Sequence, residues 1–173
     1  MHSISLHRVL SHAARWWSFA MTFAAASCFA APANAQCDSG WTRLPAATIE
    51  PTRTSAGIAF LQSRDEVVLF GGLADSQALG DTWVYSAGVW TKATPPNAPS
   101  PRAFTASCAD STRQRVLLHG GHCGVTTTLA PILSNATWAW NGTDWLQIAS
   151  SGPAVERAAM AYDPVRDRSL LIG

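Results

Sequence analysis

The sequence predicts an all-β fold of repeated four-stranded antiparallel units, on three observations. The stretch "VVLFGG" at 67–72 returns as "VLLHGG" at 116–121 and as "LLIG" at 170–173. Aligned on Arg64, Arg113 and Arg166, each copy places a glycine (Gly71, Gly120, Gly173) seven residues on, at intervals of 49 and 53. Self-similarity on that scale marks an array of supersecondary units. The tryptophans keep the same period: Trp41, Trp90 and Trp145 each open a Trp-polar-x segment, and Trp83 and Trp138 stand seven residues before the last two. Finally, no amphipathic helical pattern follows residue 36, whereas short apolar runs punctuated by Gly and Pro do.

Residues 1–35 stand apart. Arg8 and Arg15 precede the apolar run Trp16 to Ala31, which ends in Ala33-Asn34-Ala35, the pattern of a signal peptide cleaved before Gln36. The run falls short of the roughly 20 residues that cross a bilayer, so no integral span is expected after cleavage. Cys28 lacks the large aliphatic residue usual three positions before a lipid-attachment cysteine, because Ala25 stands there. The expected location is exported, periplasmic or extracellular, and the style of the leader points to a bacterium.

Composition narrows the partners. Cleavage removes two of the 12 basic residues and none of the 11 acidic ones, so nothing in the balance draws nucleic acid. Three of the five histidines leave with the leader, and His119 and His122 remain. Cys37, Cys108 and Cys123 allow at most one disulfide within a chain, and export permits it.

After the leader, 37–45 contributes one isolated strand, "GWTRL", of the type that ends the later units. The first unit, 51–93, reads as strand a (Thr54 to Phe60), a polar turn "QSRDE", strand b (Val67 to Gly71), strand c (Asp81 to Ser86) and strand d (Val89 to Ala93). Strand b does not alternate, which is what burial on both faces of a sheet requires. The linkers "TPPNAPSP" (94–101) and "SSGPAVE" (150–156) are rich in proline and small polar residues and suit loops. The second unit, 102–148, has a longer b–c loop, and 157–173 supplies only strands a and b.

The segments "DEVVLFGGLADSQALGDTWVYSAGVWTK" (65–92) and "PSPRAFTASCADSTRQRVLLHGG" (99–121) carry a resemblance: 36–173 is similar to the kelch repeats of β-propellers. That implies four-stranded blades around an axis, with Gly71-Gly72 and Gly120-Gly121 as the double glycine after strand b. It also implies that the d–a and b–c loops (72–80, 94–101, 122–135, 149–157) share a face that commonly binds partners. Departures from the pattern are His119 in place of Phe70, Ala136 in place of Asp81, and Val155 aligned with Arg53 and Arg102. Arg157 sits two positions later, and on a strand it would keep the same side.

Propellers have 4 to 8 blades, and this chain supplies about two. The expectation is the N-terminal part of a longer protein; the rival is several copies self-associating into one ring.

No catalytic, metal or cofactor site is expected. "HGGHCG" (119–124) gathers ligand types, but His119 occupies an apolar strand slot and His122 and Cys123 begin a loop. With Cys108 opposite Val116, Cys123 lies about 23 Å further along, beyond the ~7 Å of a disulfide; a bridge from Cys37 to either stays open. Asp65-Glu66 and Asp163/Asp167 suit turns, and no Gly-x-Ser-x-Gly elbow occurs. Only Tyr85 and Tyr162 are available to a copper oxidase of the galactose oxidase kind. Asn135-Ala-Thr and Asn141-Gly-Thr fit a glycosylation pattern and are read as chance.

The binding candidates are Arg53, Arg102 and Arg157, which the resemblance puts at the start of each innermost strand, rimming a central channel. Guanidinium there suits carboxylates or sugars; the competing reading is a scaffold clamp repeated once per blade. The function expected is a binding scaffold for protein or carbohydrate. The alternative is part of a propeller enzyme (hydrolase, lyase or oxidase) whose catalytic residues lie in further blades.

Overall fold

The computed structural model describes residues 49, 51–125 and 130–173. The leader at 1–35, Cys37, Trp41 and the strand "GWTRL" lie outside the described residues. The described chain is all-β. Its first sheet contains β1 (Gly57–Leu61), β2 (Glu66–Phe70), β5 (Thr82–Ser86) and β6 (Val89–Ala93), antiparallel in that order. Between its second and third strands projects a small hairpin, β3 (Leu73–Ala74) with β4 (Gln77–Ala78).

The second sheet repeats this plan with β7 (Ala106–Asp110), β8 (Arg115–His119), β11 (Thr137–Trp140) and β12 (Trp145–Ala149). Its projecting hairpin is β9 (His122–Val125) with β10 (Pro131–Leu133). A further hairpin, β13 (Ala159–Asp163) with β14 (Arg168–Ile172), corresponds to the first two strands of a sheet. Among the described residues no helix is long and apolar enough to cross a membrane.

Turn chemistry sets the strand ends. Ala87 and Gly88, at φ 50° and 86°, make a two-residue connection with Ser86 paired to Val89, the geometry that matches strand twist. A 3₁₀ turn at Gln62–Arg64 is closed by Asp65 at φ 53°, and Asp110 and Asp163 accept backbone N–H bonds in the corresponding turns.

The strand boundaries expected from sequence need adjustment. The first strand begins at Gly57, because Thr54 is already committed to a bridge with Leu73. The second ends at Phe70, where Gly71 turns with φ +65°. Cys108 pairs with Leu117, one position from the expected Val116. His122 and Cys123 belong to β9, not to a loop.

Packing explains the non-alternating strands. Leu61, Val68 and Phe70 of the first sheet pack against Val116, Leu118, Trp140 and Trp145 of the second. Phe70 meets Trp145 edge-on at 5.4 Å, and Trp140 lies 5.5 Å from Trp145. On its other face the second sheet packs Cys108, Leu117 and Ala139 against Met160 and Tyr162 of the β13–β14 hairpin. Val116, Leu117, Leu118 and His119 are therefore all buried, as a doubly covered strand must be.

The double glycines have a tertiary reason. The Gly72 N–H donates to the Arg102 carbonyl at 3.0 Å, and the Gly121 N–H to the Val155 carbonyl at 2.8 Å. At Gly120, with φ +68°, a Cβ would stand 2.5 Å from the Val155 carbonyl oxygen. Only glycine allows so close a main-chain approach at positive φ.

Candidate functional site

The Arg53 side chain, held ahead of β1, donates through both terminal nitrogens to the Asp81 carboxylate, at 2.5 and 2.9 Å. It also donates to the Gly71 carbonyl at 3.1 Å. The Trp83 indole N–H donates to the same carboxylate at 2.7 Å. Burial pushes Asp81 up, but the bonds from Arg53 and Trp83 and the Arg53 charge outweigh it and hold the carboxyl below its usual range. The Lys92 ammonium lies 5.9 Å from the centre of the Trp83 ring, within cation–π reach.

Arg102 occupies the same position ahead of β7. Its guanidinium donates to the Gly120 carbonyl at 3.1 Å, the Ser134 hydroxyl at 2.8 Å, the Ser100 carbonyl at 2.9 Å and the Ser100 hydroxyl at 2.8 Å. Every acceptor is neutral, although the residue is only 4% exposed. Burial pushes its pKa below the ordinary arginine value, and a negative charge on Cys123 would act the other way.

Arg157 does not belong with these two. Val155 accepts from Gly121 as Arg102 accepts from Gly72, so Val155 holds the third equivalent place. Arg157 instead aligns with Ser55 and Phe104, all three at positive φ of 56–58°. The Phe104 N–H donates to the Ser55 carbonyl and the Arg157 N–H to the Phe104 carbonyl, each at 2.9 Å. The Arg157 residue precedes β13 and is not in a strand, so strand alternation does not govern its side. Its exposed guanidinium lies 4.4 Å from the Phe104 ring centre and pairs with Glu156 at 2.7 Å. The three arginines thus have three environments: a carboxylate, neutral oxygens, and an aromatic face.

His119 is buried, with Nδ1 2.9 Å from the Thr137 hydroxyl and Nε2 3.0 Å from the Pro153 carbonyl. The tautomer protonated on Nε2 satisfies both, donating to Pro153 and accepting from Thr137. Both nitrogens are thereby spent on structure, Nε2 tying the 150–156 linker to the sheet and Nδ1 bonding the neighbouring strand β11. Cys108 and Cys123 are free thiols, and among the described residues no three His, Cys, Asp or Glu side chains gather as a metal site.

At the opposite end of the strands, a charged cluster joins the second sheet to the β13–β14 hairpin. The Asp110 carboxylate, 1% exposed, accepts from Arg115 at 2.9 Å and from the Arg113 backbone at 3.0 Å. Arg113 reaches across to Asp167 at 2.7 and 2.8 Å, and the Tyr162 hydroxyl also donates to Asp167. Asp163 acts as the turn former expected; Asp167 is an inter-sheet clamp that sequence reasoning missed. Nothing in the sequence around Asp167 distinguishes it from a turn residue, because its partner lies 54 positions away.

The loop segments also come together. β4 lies against β9, and bridges from Thr54 to Leu73 and from Ala103 to His122 tie each projecting hairpin to the chain entering its own sheet. The linker 94–101 is anchored where the Asn97 backbone and side-chain N–H groups donate to Asp144, both at 2.8 Å. Beside it runs an open groove of about 510 Å³ walled by Pro96, Asn97, Trp138, Trp145, Leu146 and Gln147. No protein-family model matches the chain, and no curated protein matches it either.

Proposed function

We propose that this chain is an exported kelch-type propeller module whose function is binding, of a protein or a carbohydrate. Its contact face is the one formed by the β3–β4 and β9–β10 hairpins with the linkers 94–101 and 149–157. The observation that carries this reading is the bracing of those hairpins: β4 against β9, and each hairpin bridged to the chain entering its own sheet. Irregular segments held rigidly by a β scaffold are where recognition residues usually sit. Asp75, Ser76 and Gln77 at the tip of the first hairpin are exposed and polar, the chemistry needed to meet hydroxyls or a peptide backbone.

The experiment is a glycan array and a pull-down with the exported chain, repeated with Asp75→Ala/Gln77→Ala and with Arg166→Ala at the far turns. Binding lost in the hairpin variant and kept in Arg166→Ala supports the reading. Binding unaffected by the hairpin change, or no retained ligand in either assay, overturns it.

A further inference from the structure

The two sheets share one backbone frame around their arginines. Gly71 donates its N–H to the Asp81 carbonyl at 3.0 Å, and Gly120 to the Ala136 carbonyl at 3.2 Å. Arg53 and Arg102 each donate to the carbonyl of the glycine concerned, at 3.1 Å in both sheets. Thr82 pairs with Phe70 as Thr137 pairs with His119. Position 136 is therefore the counterpart of position 81, and Trp138 the counterpart of Trp83.

The chemistry at that position differs. In the first sheet one carboxylate takes Arg53 and the Trp83 indole together. In the second, Ala136 offers a methyl group, and two donors feel the change. The Trp138 indole nitrogen is buried with no hydrogen-bond partner. Arg102 is buried among neutral oxygens, its pKa pushed down by that burial. A buried cation without an anion and a buried donor without an acceptor are both unfavourable, and here they occupy the two places that elsewhere converge on one carboxylate.

We propose that Arg102, Ala136 and Trp138 form a binding site for the carboxylate group of a small organic acid. The ligand carboxylate does what Asp81 does in the first sheet, accepting from the guanidinium and from the Trp138 indole N–H. Trp138 also walls the groove beside the 94–101 linker, so the body of the acid extends from the buried carboxylate into that groove. Tryptophan rings and the amides of Asn97 and Gln147 line it, which suits a sugar acid. The site stands on these residues alone and does not depend on what the hairpin face binds.

The test is an NMR titration of the ¹⁵N-labelled protein with sodium acetate and with sodium glucuronate, at ionic strength held constant with sodium chloride. The Trp138 indole signal is identified from its loss in Trp138→Phe. A saturable downfield shift of that signal is expected with both acids. Glucuronate binding about tenfold tighter than acetate places the ligand body in the groove; equal affinities confine recognition to the carboxylate. Ala136→Asp supplies the carboxylate internally, so it is expected to raise the melting temperature and to abolish the response. Ala136→Asn serves as a second block, filling the position without charge. A response absent with both acids, given equally by chloride, or undiminished in both Ala136 variants overturns the proposal.

Discussion

Arg53 and Asp81 form a two-bonded ion pair whose side chains are 5% and 14% exposed, joining the approach to the first strand to the start of the third. Removing one partner strands the other inside the protein. Asp81→Ala is expected to cost about 3–5 kcal/mol at neutral pH, and the double variant Arg53→Met/Asp81→Leu clearly less, because no buried charge is then left alone. Urea unfolding of the three proteins checks this. Equal losses in the single and double variants would show that the pair itself, not the stranded charge, carries the effect.

Acid should act on the paired carboxylates at the other end of the strands. Burial pushes Asp110 up, but bonds from Arg113 and Arg115 and the Arg115 charge bring it below its usual range, and Arg113 and Tyr162 lower Asp167 to about 2. A carboxyl lowered by folding contributes stability that is full above its unfolded value, near 4, and lost as pH falls through its folded value. Melting temperature is therefore expected to hold between about pH 7 and 5 and to fall from about pH 4 towards 2. Calorimetry across that range, with Asp110→Asn as comparison, should give a lower plateau and a shallower acid decline for the variant.

Two glycines separate backbone strain from crowding. Gly120→Ala sets a methyl against the Val155 carbonyl at positive φ and is expected to cost about 3 kcal/mol. Gly88→Ala has a similar φ of +86° but nothing within 4 Å, and should cost about 1 kcal/mol. Thermal melts of the pair decide it: similar losses would remove the inter-sheet contact as the reason for the double glycine.

Within the core, the Trp145 indole donates to the Thr82 hydroxyl of the facing sheet at 2.9 Å. Thr82→Val keeps the shape and leaves that donor without an acceptor, for an expected loss of about 1–3 kcal/mol. In a double-mutant cycle with Trp145→Phe, the two changes should fall short of additivity by about 1 kcal/mol. Strict additivity would mean that the bond contributes nothing.

Much of the fold was legible because its signals are periodic and local. The unbroken apolar run Val67 to Phe70 announced a buried strand, and Val68, Leu69 and Phe70 are buried; the double glycines announced sharp turns after it. The Asp81-to-Ala136 change was visible too, but its meaning was not. Reading it required knowing that Arg53 and Trp83 meet on one carboxylate. The assignment of Arg157 failed for a related reason: residue spacing in a linker does not follow strand alternation, and only the hydrogen bonds from Phe104 and Arg157 show which positions correspond.

The sequence by itself determined an all-β chain of repeated units and the strands that would be buried. These follow from side-chain period and backbone sterics, which act over a few residues. Tertiary structure decided what each arginine meets: Asp81 for Arg53, the Ser134 hydroxyl for Arg102, the Phe104 ring for Arg157. Those partners lie tens of residues away and come within reach only when one sheet packs on the next. The physical reason is range: charge and hydrogen-bond chemistry act over a few ångströms of space, whatever the distance along the chain.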